Sequence, residues 1–92
     1  MYDENAGLYY DKGKIVNLSF LPSLYFEILV NNKGKVVTYH QILKEIYNDN
    51  GIVTANKRAK INITMNRLIS QLEGFVKIGH KRHIGFYIIG VE

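Results

Sequence analysis

The residues best suited to bind a polyanion lie in the last third of the chain. Residues 57–92 hold seven Lys and Arg against two Glu, a net charge of +5, whereas residues 1–56 carry a net charge of −1. A polyanion such as duplex DNA would meet this basic third, because Lys and Arg neutralise phosphates; an ordinary solvated surface fits the charge alone equally well. The predicted DNA-binding residues are Lys57, Arg58, Lys60, Ile63, Asn66, Arg67, Ser70, His80, Lys81 and Arg82.

Three residues in the middle of this segment are candidates for reading base edges. Arg67 can pair with a guanine and Asn66 with an adenine, and each such pair contributes about 1–3 kcal/mol of discrimination. Most protein–DNA hydrogen bonds go to phosphate and sugar, so contact with phosphate or solvent is the alternative for both. Ile63 can contact a thymine methyl group or pack beneath the C-terminal hairpin.

Other cations are candidates for phosphate contacts. Lys57, Arg58 and Lys60 come at the start of a predicted helix, where positive charge opposes the helix macrodipole. A phosphate is favoured at such an end by the dipole and the free amides, so we predict backbone contacts there.

The C-terminal hairpin carries a second basic group. We predict that Arg82 enters an A/T-rich minor groove, whose narrowness deepens the negative potential. Lys81 and His80 would then contact phosphate, and a solvated turn is the alternative.

Catalysis and metal binding find little support in the sequence. The chain has no cysteine, and His80 and His83, with no carboxylate beside them, make a poor zinc site. No nucleophile–base pair, paired acids or glycine-rich phosphate loop stands out. We therefore predict a binding domain without a cofactor, not an enzyme. The acidic, polar N-terminus and the short apolar runs predict a cytoplasmic location without a membrane partner.

A long third helix positions the basic residues. We predict that it runs over about 56–73, beginning near Thr54 or Asn56 and stopping at Gly74. The stripe Ile61, Met65, Leu68 and Leu72 has the spacing of a buried face. The opposite face carries no acid and holds Ala59, Lys60, Ile63, Asn66, Arg67 and Ser70.

Two helices precede it. In the first, Ser19 is the predicted cap and Pro22 lies in the first turn, where its missing N–H costs little. The second begins at Thr38, and we predict a capping box in which the Gln41 side chain reaches back to the cap.

Short strands are predicted at both ends of the chain. Leu8–Tyr10 and Lys14–Leu18 flank a turn and form a hairpin, after a flexible lead-in over residues 1–6. Phe75–Ile78 and Ile84–Ile89 form a second hairpin, joined through the basic segment Gly79–His83. The fold class is α+β, in one domain over residues 1–92.

Five segments, in this order, are similar to a known family: Leu18-Ser19, Glu27 to Thr38, Gln41 to Tyr47, Ile61 to Leu68, and Arg82 to Phe86. Together they resemble the C-terminal effector domain of OmpR/PhoB-family response regulators. The resemblance implies a winged helix-turn-helix with an N-terminal antiparallel sheet of four strands, three helices, and a C-terminal β-hairpin wing over about 76–89. Several positions depart from the family pattern; among them, Tyr47 replaces a tryptophan, Ala59 an arginine, and His83 the first wing glycine.

The same resemblance implies a function. It implies sequence-specific transcription regulation in a two-component system, with the recognition helix in the major groove and the wing at the backbone or minor groove. It also implies head-to-tail binding to direct repeats and contact with RNA polymerase through loop 48–55. The alternative is a winged-helix protein–protein interaction module that contacts polymerase or another regulator. Structured RNA is a weaker candidate, because side chains cannot read its narrow, deep major groove.

Overall fold

Three helices are flanked in sequence by short antiparallel strands. The computed structural model describes residues 2–3, 8–11 and 14–91, with side chains from Leu18 to Ile89. The elements are β1 (Tyr2–Asp3), β2 (Leu8–Asp11), β3 (Lys14–Asn17), α1 (Phe20–Asn31), β4 (Val37–Thr38), α2 (Tyr39–Tyr47), α3 (Ala55–Gln71), β5 (Val76–Lys81) and β6 (Gly85–Val91).

The core forms where the apolar stripes of the helices meet the C-terminal strands. The predicted α3 stripe is confirmed, since Ile61 is 1% exposed and Met65, Leu68 and Leu72 are 0% exposed. Full burial of one such side chain contributes about 1.5–3 kcal/mol. The other fully buried large side chains are Tyr25, Phe26, Leu29, Val37, Ile42 and Phe86.

The start of α2 follows the predicted cap only in part. The Thr38 hydroxyl accepts the Gln41 amide at 3.1 Å, as a capping residue does. The Gln41 side chain instead donates to Asn32 Oδ1 at 3.3 Å. The prediction that it completes a capping box is therefore wrong. It ties α2 to the residue that ends α1.

Helix α3 has a similar cap and a glycine stop. The Thr54 hydroxyl accepts the Lys57 amide at 3.2 Å. The helix ends at Gln71, two residues before the predicted end at Glu73. Gly74, with φ of +86°, takes the left-handed conformation that glycine tolerates best.

The start of α1 has the predicted boundary but not the predicted cap bond. Ser19 is the residue before the helix, yet its side chain makes no capping hydrogen bond. Pro22 lies in the first turn as predicted. Proline is tolerated there because first-turn amides have no partner within the helix.

The N-terminal hairpin is present and is extended by a strand. β2 and β3 pair antiparallel, with Leu8 opposite Asn17. Tyr2–Asp3 pair with Leu8 and Tyr9, so the predicted flexible lead-in does not extend to these two residues. Within the described residues this sheet has three strands, in the order β1-β2-β3, and not the four that the resemblance implied. Lys12 and Gly13 of the predicted turn lie outside the described residues.

The C-terminal hairpin is longer than predicted. β5 continues past Ile78, with His80 opposite Phe86 and Lys81 opposite Gly85 on β6. The ladder contains a register shift between Lys77 and Ile78, which is typical of a β-bulge. The residues that join the strands, Arg82–Ile84, form what we call the hairpin tip.

A third strand anchors this hairpin to the helices. β4 pairs antiparallel with β6, with Val37 opposite Phe86 and Thr38 opposite Gly85. Gly85 is buried, and a Cβ atom there would overlap the Val37 carbonyl oxygen and the Thr38 Cα. Glycine is required at this point because the obstructing atoms belong to backbone.

Gly85→Ala should destabilise the fold by about 2–3 kcal/mol, in the range of overpacking a filled site. Gly79→Ala is the matched control in the same hairpin. Its added methyl would overlap only the Tyr87 ring, a side chain that can rotate away. We expect a loss of about 1 kcal/mol or less there. Urea unfolding of both variants checks the difference, and equal midpoints would contradict the close approach of β4 and β6.

Candidate nucleic-acid interface

The face of α3 opposite the core stripe is exposed, as its periodicity predicts. All six residues predicted on that face are exposed: Ala59, Lys60, Ile63, Asn66, Arg67 and Ser70. Ile63 is 63% exposed, which rules out the alternative that it packs beneath the hairpin. The helix sequence contains no Asp or Glu. No acid on α3 itself therefore offsets its four cations.

The N-terminal half of α3 and the hairpin tip enclose what we call the basic cleft, a space of about 310 Å³. It brings together Arg58 on the helix and Arg82 on the tip, which are distant in sequence. The full lining is Tyr39, Ala55, Arg58, Ala59, Asn62, His80, Arg82 and His83. No acidic residue is among these.

A hydrogen-bonded and aromatic cluster lies at the wall of the basic cleft. The Tyr39 side chain is 3% exposed. Its hydroxyl donates to Asn62 Oδ1 at 2.7 Å and lies 3.1 Å from His80 Nε2. The His80 ring stacks on Phe86 with centroids 4.5 Å apart and an interplanar angle of 11°. The edge of Tyr39 meets Phe86 at 5.7 Å and 78°. We call these four residues the Tyr39 cluster.

Sequence reasoning did not single out Tyr39 or Asn62. Tyr39 follows a helix cap and reads as an ordinary first-turn residue, whereas Asn62 lies at the edge of the α3 stripe. A polar residue beside a buried stripe was the available signal, but its partner on another element could not be read from spacing.

The cations predicted at the α3 N-terminus have different surroundings. Lys57 Nζ lies 2.7 Å from Asp49 Oδ2 and donates to the Ile52 carbonyl at 3.2 Å. The ammonium group and the Gly51 amide lower the pKa of Asp49. Lys57 is thus engaged with the loop before α3. Arg58 donates to the Val53 carbonyl at 3.4 Å, and Lys60 is exposed.

The hairpin tip and the end of β5 that leads into it are exposed and basic. His80, Lys81 and Arg82, all predicted contacts, are exposed along with His83. His83 has φ of +64°, a left-handed conformation at the position where the resemblance places a glycine.

Lys35, which the charge count placed in the acidic part of the chain, also adjoins this surface. It lines a groove of about 430 Å³ on the hairpin together with Lys81 and His80. The signal was hidden because Lys35 precedes β4, whose pairing with β6 brings the turn after α1 to the hairpin.

Among residues whose surroundings the structure describes, no group of three or more His, Asp or Glu is placed to hold a metal ion. His80 Nε2 is in contact with Tyr39 instead. In the same part of the chain, no helix is long and apolar enough to cross a membrane.

The arrangement matches solved structures over most of its length. The DNA-binding domain of Bacillus subtilis CssR superposes with a TM-score of 0.78 at 20% identity, covering 97% of this chain and 98% of that one. The chain has an OmpR/PhoB-type effector fold. The C-terminal domain of the nisin resistance regulator NsrR, a lantibiotic response regulator, gives a TM-score of 0.73 at 25% identity, covering 90% of this chain and 84% of that one. No family model matches the sequence, and a search of curated proteins finds no match.

The match confirms the resemblance drawn from the sequence, at the level of the fold. α2 and α3 are the two helices of the helix-turn-helix. The likeness to CssR is one of fold alone, since only 20% of the residues are identical.

His83→Gly should stabilise the domain by about 1 kcal/mol, because a side chain in the left-handed region costs about that much. Thermal unfolding measures the change. Arg82→Gly is the control, since Arg82 is not among the positive-φ residues of the described chain. We expect Arg82→Gly to lower the midpoint slightly, because glycine loses more backbone entropy on folding. An equal fall in both variants would contradict strain at His83.

Proposed function

We propose that this domain binds duplex DNA in a sequence-specific manner and regulates transcription. One observation carries the proposal: the acid-free exposed face of α3 adjoins a basic cleft shared with the hairpin tip. The fold of the DNA-binding domain of CssR supports it. A helix-turn-helix places its second helix in the major groove, and here that helix is α3.

The exposed face of α3 divides into base-reading and backbone-contacting residues in this proposal. Arg67 and Asn66 have the donors for bidentate pairs with guanine and adenine. Ile63 lies one turn closer to the N-terminus of α3 on the same exposed face, and it is suited to an apolar contact with a thymine methyl group. Lys60 and Ser70 flank this group on the same face and are assigned to phosphate.

The hairpin acts as the wing. Arg58 of α3 and Arg82 of the hairpin tip both line the basic cleft, so one segment of DNA backbone can contact both. Lys81 and His80 extend the contacts along the backbone, and Lys35 joins them across the adjacent groove. Lys57 contributes less than the sequence suggested, because Asp49 already neutralises it at 2.7 Å.

DNA binding should weaken steeply with salt, with a log–log slope of about −0.9 for each phosphate contacted. A sequence selected from random duplexes serves as the specific site. Lys60→Ala should reduce the slope by about 1 and weaken all sequences alike, because it removes a phosphate contact. Arg67→Ala should instead lose about 1–3 kcal/mol at the selected site and relax the base preference at one position.

Lys33→Ala plus Lys44→Ala provides the charge control. Both lysines are exposed and neither lines the basic cleft. This pair should change the slope less than Lys60→Ala alone. A complex insensitive to salt, or no selected sequence at all, would sink the proposal.

A second candidate function is contact with a protein partner through the loop between α2 and α3. Ile52 in this loop is 84% exposed, although it is a large aliphatic residue. The Lys57–Asp49 ion pair ties this loop to the start of α3, and the Gly51 amide donates to Asp49 at 2.8 Å within it. A loop tied to α3 and presenting one bare apolar residue fits RNA polymerase or another regulator as partner.

Ile52→Ser should abolish partner binding in a pull-down with purified RNA polymerase and leave DNA affinity unchanged. Ile89→Ser is the matched variant, because Ile89 is 53% exposed on the hairpin instead. Loss of the partner in Ile89→Ser alone would move the contact to the hairpin legs.

The resemblance extends the proposal to the assembled state. Two copies would bind direct repeats head to tail, within the cytoplasm, and regulate a neighbouring promoter. Footprints of equal length at single and repeated sites would argue against such pairing.

A further inference from the structure

We propose that Tyr39 is a positioning residue that fixes the distance between α3 and strand β5 of the hairpin, and thereby the spacing between base and backbone contacts. The inference rests on the proposed function. Tyr39 contacts no DNA in this scheme; it acts through Asn62 on the helix and His80 on the hairpin.

The hydrogen-bonding capacity of the Tyr39 hydroxyl determines the direction of each hydrogen bond in the Tyr39 cluster. A tyrosine hydroxyl has one proton to donate and can accept from others, whereas an amide oxygen can only accept. The 2.7 Å contact with Asn62 Oδ1 therefore takes the Tyr39 proton. At 3.1 Å, His80 Nε2 must then be the donor to Tyr39. The structure assigns His80 a proton on Nε2.

Packing leaves this arrangement little freedom. Tyr39 is buried, and its ring edge meets Phe86, on which His80 stacks. Phe86 is itself 2% exposed and lies opposite Val37 of β4. Within the described residues, the Tyr39 hydroxyl thus links three elements, α2, α3 and β5, over a core residue of β6.

This geometry matters most for specific binding. Side-chain contacts with base edges in the major groove require that each side chain be held close to its productive position. Supporting hydrogen bonds provide that precision. Phosphate contacts tolerate more displacement, because they depend on charge. Loosening the Tyr39 cluster should therefore reduce discrimination between sequences more than it reduces overall attraction to DNA.

Tyr39→Phe tests the inference, with Tyr25→Phe as the matched control. Tyr25 is 0% exposed, and its hydroxyl contacts the Tyr47 hydroxyl of α2 at 2.7 Å and the Thr64 side chain of α3. These partners lie on helices, whereas Tyr39 connects a helix to the hairpin. Burial raises the pKa of Tyr25, so its buried hydroxyl stays protonated. Each variant removes one buried hydroxyl and leaves its partner unsatisfied, which destabilises the fold.

We expect Tyr39→Phe to lower affinity for the selected duplex about tenfold, with random-duplex affinity changed less than about twofold; tenfold corresponds to about 1.4 kcal/mol. Tyr25→Phe should leave both affinities unchanged at a similar loss of stability. An equal fall in both variants would reduce Tyr39 to a structural residue and overturn the inference.

A second readout needs no DNA. In the free protein, ¹⁵N correlation spectra of the imidazoles should show His80 protonated at Nε2, and Tyr39→Phe should speed amide exchange in β5 while Tyr25→Phe does not. His80→Gln, which restores a donor, should preserve slow exchange better than His80→Phe. A His80 ring without a proton on Nε2, or unchanged exchange in Tyr39→Phe, would overturn the positioning role. If the imidazole and exchange results are as expected but the protein binds no duplex DNA, the positioning role of Tyr39 stands and only the proposed function is overturned.

Discussion

The rest of the structure depends on one constraint, the orientation of α3 about its own helix axis. Burying Ile61, Met65, Leu68 and Leu72 in one stripe leaves a single orientation in which the helix can pack. The same packing determines that Ile63, Asn66 and Arg67 face outward. One helical periodicity therefore determines both the buried and the exposed face of α3. The apolar residues fix which polar residues face solvent, although they make no contact with them.

The hairpin is held to that helix by backbone as well as by side chains. Gly85 lets β6 approach β4 closely, so the turn after α1 and the start of α2 are built into the same small sheet. Tyr39 begins α2 directly after β4, which brings its hydroxyl within reach of both α3 and β5. The basic cleft exists because these connections are short.

The sequence predicts the helices and the exposed face of α3 well, because both follow from local spacing and capping. It predicts the hairpins but misjudges their extent. His80 and Lys81 read as a turn, yet they pair across the ladder with Phe86 and Gly85. Non-local contacts account for what was missed. Neither the pairing of Lys57 with Asp49 nor the meeting of Tyr39 with Asn62 leaves a trace in periodicity. The α+β class and the effector fold could be predicted because they depend on element order.

The crowding of cations at the start of α3 has a thermodynamic consequence for the domain as a whole. Arg58 and Lys60, which have no acid beside them on α3, repel the positive end of the helix dipole, so the unliganded helix depends on the core for its stability. A polyanion that binds only the native state relieves that repulsion and adds its own binding free energy to folding. At a hundredfold excess over Kd this linkage contributes about 2.7 kcal/mol. Loaded and empty copies would then differ in lifetime, with the occupied ones better protected from proteolysis.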